Sequence, residues 1–267
     1  MLTPTDTIAV AVSGGKDSTS LLYILNKIEE KFPNSKLLAI TIDEGISKYS
    51  DEAIEIASEQ CKILNVKHLI VSFKEIYDYK MDEIAKIMGK KKSLSACTYC
   101  GVLRRKIFNK AARKAGADVL ATAHTLDDEV QTGLLNIIRG DITRFNQNGH
   151  FSDADVFIKR IKPFQEIPEK EIAFYAFLKG FRFQTISCPY AYSSSRNEVR
   201  DFLNMMETGH AGIKFTIHRS FERIKIPLEK FCESPNISTC KICGEPTVRD
   251  KCRACQILFE LKLISAR

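Results

Sequence analysis

The 267-residue sequence has no apolar run that approaches the roughly 20 residues a membrane-spanning helix needs. It also has no basic N-terminal segment before an apolar stretch, so no secretory signal is predicted. Its nine cysteines are too few for a disulfide scaffold in a chain of this length. Internal repeats and low-complexity tracts are also absent. The sequence therefore predicts a globular protein of the reducing cytoplasm, without a membrane partner, whose paired cysteines bind metal.

Acidic residues are missing from one stretch of the chain. Residues 86 to 114 include ten Lys or Arg and no Asp or Glu, within a chain of net charge +7. A run of like charge is usually a solvated face. This run surrounds a Cys-x-x-Cys pair and includes Lys90, Lys91 and Lys92, which favours a polyanionic partner. Nucleic acid is the natural candidate.

The segment at residues 8–18 is the first with a clear chemical pattern. Small and β-branched apolar residues predict a buried strand, Ser-Gly-Gly predicts a turn, and the following residues predict a helix. A Walker A loop is excluded because it needs glycine at Val10 and Ser or Thr at Asp17. A strand, a turn and a helix N-terminus together present backbone N–H groups to an anion. The segment therefore predicts a phosphate-binding loop formed by Ser13, Gly14, Gly15, Lys16, Asp17 and Ser18.

Strands alternating with helices predict an α/β fold with a parallel, doubly wound sheet. Strands are predicted at 8–12, 37–42, 68–73, 119–123 and 156–161, with 181–186 as a further candidate. Helices are predicted at 50–64, 77–88, 101–115, 127–139, 168–179, 196–206 and 212–224, and residues 141–155 are expected to form a loop. Asp43 and His124 follow predicted strands, so we expect them to share one cleft with the phosphate loop. Residues 1–226 are predicted to form the catalytic domain and residues 227–267 a linker with a cysteine-rich module.

Two Cys-x-x-Cys pairs with eight residues between them define the C-terminal module. The pairs are Cys240 with Cys243 and Cys252 with Cys255, and Gly244 supplies the turn after the first pair. Four thiolates so spaced can close a tetrahedral Zn²⁺ site. The loop is too short to bury a core, so the metal must supply the folding energy. The module is predicted to be a structural zinc ribbon.

A third pair, Cys97 with Cys100, has no second pair beside it. The candidates for a further ligand are Cys61 on an apolar helical stripe, Cys232 in the linker, and Cys188 after a predicted strand. Three cysteines would leave one iron of a 4Fe–4S cluster open to a sulfur species, and Cys188 is the best-placed third ligand. The alternative is a redox pair that cycles through a disulfide. In either case the basic flanks are expected to lower the pKa of the thiols.

The carboxylates of Asp127 and Asp128 follow His124 at the start of a predicted helix. One of them could serve only as a helix cap. Two carboxylates together with Asp17 exceed what capping needs, so they predict Mg²⁺ ligands or a general acid or base.

With these residues assembled, the sequence resembles the tRNA 2-thiolation enzymes of the PP-loop superfamily. Six segments carry the resemblance over nearly all of the chain: Ser-Gly-Gly-Lys-Asp-Ser at 13–18, Asp-Glu-Gly-Ile at 43–46, Cys-Thr-Tyr-Cys-Gly-Val-Leu-Arg-Arg at 97–105, Ala-His-Thr-Leu-Asp-Asp-Glu at 123–129, Arg-Gly-Asp at 139–141 and Cys-Pro-Tyr at 188–190. The cysteine-rich C-terminus looks like that of the archaeal and eukaryotic wobble-uridine branch, or of the branch that acts in the T loop.

The resemblance implies an enzyme that uses ATP and Mg²⁺ to adenylate the C2 oxygen of a uridine and then replaces that oxygen with sulfur. It implies a 4Fe–4S cluster on Cys97, Cys100 and Cys188, and it places His124 at the ATP. The catalytic residues implied are Asp43, Cys97, Arg104, Asp127, Asp128 and Cys188. Arg104 stands where some relatives have a catalytic lysine, and an arginine can bind phosphate but cannot readily act as a base.

The partners implied are a tRNA, a sulfur donor and a second copy of the chain. The donor is either sulfide or a ubiquitin-like sulfur carrier protein, and Arg104 and Arg105 are expected to hold the tRNA backbone. Two other functions stay open: a tRNA-binding scaffold with a vestigial nucleotide loop, and a PP-loop ligase that forms amides and needs no cluster.

Overall fold

The computed structural model describes residues 2–89, 95–146, 157–191, 195–231 and 237–264. A parallel sheet with the strand order β3-β2-β1-β4-β5 forms its centre. The strands are β1 (Thr7–Ala11), β2 (Lys36–Asp43), β3 (Lys67–Ser72), β4 (Val119–Ala121) and β5 (Lys159–Ile161). In register, Val10 of β1 lies between Ala39 of β2 and Ala121 of β4.

Helices cover both faces of this sheet, as the sequence predicted. They are α1 (Lys16–Glu29), α2 (Tyr49–Ile63), α3 (Phe73–Tyr77), α4 (Met81–Met88), α5 (Ala96–Lys114), α6 (Leu126–Ile138), α7 (Ile142–Asn146), α8 (Glu169–Leu178), α9 (Ser195–Gly209), α10 (Ile213–Phe231) and α11 (Arg253–Glu260). Successive strand residues point to opposite faces. Ile8 and Val10 accordingly pack in the core with Leu21 and Leu22 of α1, whereas Ala9 packs in the core that holds Ala112 of α5. No helix among these described residues is long and apolar enough to cross a membrane.

The strand order places a crevice beside β1. The chain builds β2 and β3 on one side of β1 and then crosses to form β4 and β5 on the other side. The order reverses between β1 and β4, and in such sheets ligands bind outside the carboxyl ends of the strands at this point.

The helices predicted at 77–88 and 101–115 were wrong in their bounds. The helix expected at 77–88 is two helices, α3 and α4, because Asp78 at the end of α3 has a left-handed φ of 63°. The helix expected from residue 101 begins at Ala96, where the Ser95 side chain accepts a hydrogen bond from the Thr98 amide. The early start places Cys97 and Cys100 on the first turns of α5.

The segment 181–186 was predicted as a strand and is not one. It runs past the phosphate loop and α2. The Gln184 amide donates to Gly14 O of the loop over 2.8 Å, and the Gln184 side chain donates to Tyr49 O of α2 over 2.6 Å. Arg182 forms ion pairs with Glu55 and Glu59 of α2. Contacts with the phosphate loop and with α2 therefore hold this segment outside the sheet. The loop expected at 141–155 contains the short helix α7, and residues 147–156 lie outside the described residues.

The C-terminal module packs against the middle of α5. It consists of an antiparallel pair, β6 (Ser238–Thr239) and β7 (Pro246–Thr247), followed by α11. Ile257 and Leu258 of α11 share a buried core with Leu103 and Ile107 of α5. Helix α10 continues past residue 226, where the sequence placed the domain boundary. The residues Lys90, Lys91, Lys92 and Cys232 lie outside the described residues.

Candidate active site

The phosphate loop lies where β1 ends and α1 begins. Gly14 has a left-handed φ of +73°, which favours glycine, and Gly15 is the N-cap residue of α1. The Ser13 amide donates to Ser18 Oγ over 3.1 Å, and Ser18 Oγ donates to Gly15 O over 3.0 Å. The first backbone N–H groups of α1 have no intrahelical partner and face the crevice with the positive end of the helix dipole. This arrangement suits an anionic ligand.

Two carboxylates hold the lysine of this loop. Lys16 Nζ lies 2.9 Å from Asp17 Oδ2 and 2.6 Å from Glu169 Oε1 at the start of α8. Burial alone would lower the pKa of Lys16, but the hydrogen bond to Glu169 and the charge of Asp17 outweigh it and raise this pKa.

A cleft of about 380 Å³ opens between the phosphate loop and α5. Volumes of this size are typical of small-molecule sites. Its walls include Ser13, Gly15, Asp17 and Ser18 of the loop, His124 and Asp128 after β4, and Glu44 after β2. The α5 wall contributes Arg104, Arg105 and Phe108. The structure thus brings five of the seven predicted nucleotide-binding residues and Arg104 into one cleft, whereas Gly14 and Lys16 do not line it.

Glu44 faces the cleft, whereas its neighbour Asp43 does not line it. Asp43 Oδ1 instead accepts the Gly45 amide over 2.8 Å. Glu44 is only 6% exposed, and its Oε1 lies 3.2 Å from Arg104 Nη1. Burial raises the pKa of Glu44, although the Arg104 charge opposes this shift. Sequence reasoning missed Glu44, and its only signal was its place beside Asp43 in the same motif.

Asp127 and Asp128 also face different surroundings. Asp127 is buried, accepts a hydrogen bond from Lys214 Nζ of α10, and accepts the Glu169 amide over 2.7 Å. It therefore ties α6 to α8 and α10 and does not line the cleft. Asp128 does line the cleft, where its Oδ1 lies 3.9 Å from Arg196 Nη1. His124 lies beside it, with Nδ1 2.9 Å from Thr122 Oγ1.

Cys97, Cys100 and Cys188 lie close enough together to interact electrostatically. A negative charge on Cys188 would raise the pKa of both other thiols. Cys188 packs with Cys100 around the core of α5, and the Cys97 thiol donates to the carbonyl of Tyr190 over 3.2 Å. Cys61 is not part of this group, because it is buried in the core between α2 and the sheet. Three neighbouring thiols are the number of protein ligands that a site-differentiated 4Fe–4S cluster takes.

The expected lowering of the thiol pKa values was wrong. Burial raises the pKa of Cys97, and it raises the pKa of Cys100 to about 12. The Arg104 charge lowers both values but does not outweigh burial. Without metal, these thiols are therefore protonated at neutral pH.

The four C-terminal cysteines form a compact donor set. The ligand atoms of Cys240, Cys243, Cys252 and Cys255 all lie within 4.8 Å of one another. Burial would raise the pKa of Cys240, but backbone N–H groups, first that of Cys252, outweigh burial and lower it to about 6. Lys106 of α5 donates to Cys255 Sγ over 3.6 Å, so a positive charge lies against the thiols. Four converging sulfurs fit a tetrahedral Zn²⁺ ion.

The chain is similar in sequence to a known protein family. A model of the PP-loop domain matches residues 3–207. A probable sulfurtransferase of Methanocaldococcus jannaschii is 37% identical over 96% of this chain and 75% of its own length. The tRNA-5-methyluridine(54) 2-sulfurtransferase of Pyrococcus horikoshii is 35% identical over 96% of this chain and 79% of its own length.

A solved structure extends this likeness to the fold. The U34-tRNA thiolase NcsA from Methanococcus maripaludis, determined with its 4Fe–4S cluster, is 34% identical over 96% of this chain and 81% of that chain, with a TM-score of 0.83. By sequence and by fold, this chain belongs to the PP-loop family, among the sulfurtransferases of tRNA 2-thiolation.

Proposed function

We propose that this protein adenylates the C2 oxygen of a tRNA uridine with ATP and then replaces that oxygen with sulfur. The observation that carries the proposal is that Arg104 lies between the cleft of the phosphate loop and the cysteine group that contains Cys100. Its guanidinium lines the cleft of the phosphate loop, and the charge of Cys100 is the largest influence that raises its pKa against burial. Tyr49 also lines the cleft and interacts with Cys100 and Cys188. Nucleotide chemistry and sulfur chemistry would therefore meet in one place.

In the first half-reaction, the uridine O2 attacks the α-phosphorus of ATP and the bond to pyrophosphate breaks. The backbone N–H groups at the start of α1 and the Ser13 hydroxyl hold the departing phosphates, since these groups face the cleft. Lys16 leaves Glu169 for the pyrophosphate. Asp17 and Asp128 supply carboxylate oxygens of the kind that Mg²⁺ prefers, and His124 lies beside the nucleotide.

In the second half-reaction, sulfide attacks C2, a C–S bond forms, and AMP leaves with the former O2. Cys97, Cys100 and Cys188 would hold the 4Fe–4S cluster, which supplies an iron without a protein ligand that can hold inorganic sulfur. The Arg104 charge favours the thiolate form of Cys100 that a cluster requires. Glu44 holds Arg104 in position between the cleft and these cysteines.

The proposed target is the wobble uridine 34, and the uridine of the T loop at position 54 is the second candidate. Similarity to the U34-tRNA thiolase supports the first, and similarity to the position-54 sulfurtransferase supports the second. We further propose that the C-terminal cysteines hold zinc, that sulfide or a ubiquitin-like carrier protein donates the sulfur, and that the enzyme acts in the cytoplasm as a homodimer.

A single reaction tests the core of this proposal. Anaerobically reconstituted protein is incubated with ATP, sulfide and unmodified tRNA. The nucleotides are separated by chromatography, and thiolated tRNA is detected by its retarded migration in a gel that contains a mercury reagent. We expect AMP, pyrophosphate and 2-thiouridine, which mass spectrometry of nuclease fragments assigns to position 34 or 54. Accumulation of ADP would contradict cleavage between the α- and β-phosphates.

Cysteine variants test the three-thiol site in the same assay. Cys97→Ala, Cys100→Ala and Cys188→Ala should each lose iron and thiolation. Cys61→Ala is the matched control, because Cys61 is buried away from the group, and it should keep both. Full thiolation by Cys188→Ala would contradict the cluster and favour a two-cysteine redox relay.

A further inference from the structure

Charged side chains in the cleft occur mostly in pairs. Three carboxylates of its walls each form an ion pair, with N–O distances of 2.9 to 3.9 Å: Asp17 with Lys16, Glu44 with Arg104, and Asp128 with Arg196. Arg105 and Arg160 line the same cleft. Within the parts of the chain that the structure describes, neither of these two guanidinium groups lies within ion-pair distance of a carboxylate. They are the positive charges of the cleft that remain available to an anion.

The fold brings Arg105 and Arg160 together and fixes one of them. Arg160 lies on β5, at the edge of the sheet. Its Nη2 donates to Arg105 O over 3.2 Å and to Asn109 Oδ1 over 2.9 Å. These bonds use one nitrogen of a group with five N–H donors, so other donors stay free for a ligand.

Arg105 and Arg160 carry like charges close together, and both side chains are exposed to solvent at the cleft. Desolvation by the cleft walls, followed by the Arg105 charge, lowers the pKa of Arg160 to about 10. Burial and the Arg104 and Arg144 charges likewise lower the pKa of Arg105. Both groups remain charged at neutral pH. Like charges held together are unfavourable, and an anion bound between them relieves that repulsion.

An aromatic ring lies beside the pair. Phe108 is one turn beyond Arg105 on α5 and lines the same cleft. A phosphate-binding pair of arginines beside an aromatic side chain is the combination that binds single-stranded RNA, since the ring stacks on a base and the arginines hold the backbone. The phosphates of ATP have their own site on the opposite wall, at the phosphate loop.

We propose that Arg105 and Arg160 form a subsite for an RNA backbone phosphate next to the reacting uridine. The assignment rests on the proposed function and names the residues of that cleft that hold the substrate. The sequence assigned both Arg104 and Arg105 to the tRNA backbone. The subsite keeps Arg105 in that role, adds Arg160, and leaves out Arg104, which the structure pairs with Glu44. With the phosphate held on α5, the unstacked uridine extends across the cleft toward the α-phosphate of ATP.

The test compares Arg105→Gln and Arg160→Gln with Lys62→Gln, an equal loss of charge at an exposed position of α2 outside the cleft. Binding of labelled tRNA to the reconstituted full chain is measured by fluorescence anisotropy between 50 and 200 mM salt, and ATP binding is measured separately. Each arginine variant should weaken tRNA binding by on the order of tenfold and reduce the salt slope by about 1. The arginine variants should bind ATP as the wild type does, and Lys62→Gln should bind both tRNA and ATP with wild-type affinity.

The outcomes separate the subsite from the function. Wild-type tRNA affinity in both arginine variants would refute the subsite, and so would weaker ATP binding with unchanged tRNA binding. A protein that binds tRNA through this pair and forms no 2-thiouridine would refute the proposed function alone. Arg105 makes no hydrogen bond through its guanidinium within the described chain, so Arg105→Gln keeps the test valid should Arg160→Gln fail to fold.

Discussion

Replacing Gly14 by alanine should destabilise the protein, whereas the same change at Gly15 should not. Gly14 has a φ of +73°, and an added Cβ would lie 2.7 Å from Ala53 O and 2.9 Å from Ala53 Cα. Both atoms belong to the backbone of α2, so they cannot rotate away. Gly15 has a φ of −78°, and the atom nearest to its added Cβ is Ser13 Oγ at 3.6 Å. The second distance is an ordinary van der Waals contact.

The expected cost at Gly14 has two parts. A left-handed conformation costs a residue with a Cβ roughly 1–2 kcal/mol. Overpacking typically costs about 1–3 kcal/mol more. The sum of about 2–5 kcal/mol is a large part of the ~5–15 kcal/mol that stabilises a typical domain. At Gly15 neither part applies, and removal of a glycine from the unfolded chain stabilises the protein by about 0.4–1 kcal/mol.

Urea denaturation followed by far-ultraviolet circular dichroism measures both effects. The Gly14→Ala midpoint should fall with an unchanged slope, and the Gly15→Ala midpoint should equal or exceed that of the wild type. ATP binding provides a second readout, because the added Cβ of Gly14→Ala would push the phosphate loop away from α2. A wild-type urea midpoint for Gly14→Ala would refute the close approach of the loop and α2.

Further predictions concern the acidic residues and the metal ligands. Asp127→Ala should lower the free energy of unfolding by about 3–5 kcal/mol, because it leaves the buried Lys214 charge unpaired. Asp128→Asn should reduce AMP formation, and it should lower the free energy of unfolding by no more than about 1 kcal/mol. Cys240→Ala should remove zinc and leave the iron content intact by elemental analysis; loss of iron as well would contradict the division of the cysteines. Lys106→Gln should speed zinc release to a chelator about tenfold relative to Lys110→Gln, because Lys106 donates to Cys255. Iron uptake by metal-free protein should increase from pH 7 to pH 9, because raised pKa values keep Cys97 and Cys100 protonated at pH 7 and ligation needs thiolates. Uptake that does not depend on pH would contradict these shifts.

The phosphate loop was predictable because its function resides in consecutive residues. A strand, a glycine turn and a helix start can be recognised without any tertiary contact, and residues 13–18 fold as expected. The helix was predicted to begin at Gly101, whereas α5 begins at Ala96. Ser95 caps the helix six residues before Gly101, and packing of Tyr99 and Leu103 in the core outweighs the weak propensity of Gly101.

The choice between adjacent carboxylates could not be made from the sequence. Asp43 and Glu44 stand next to each other, and so do Asp127 and Asp128, yet only the second of each pair lines the cleft. Neighbouring residues point in different directions, and the register of the surrounding elements decides which one faces the ligand. Arg160 had no sequence signal at all, since its partners on α5 are more than 50 residues away.

Helix α5 connects the C-terminal cysteine module to the cleft. The first turns of α5 carry Cys97 and Cys100, and its next turns present Arg104, Arg105 and Phe108 to the cleft. The helix also packs in a core that includes Cys240, Cys252 and Cys255 of the C-terminal module. Small displacements of α5 would move the sulfur site and the cleft wall together. Metal bound by the C-terminal cysteines would therefore support catalysis by fixing this helix, without contact with any reacting atom.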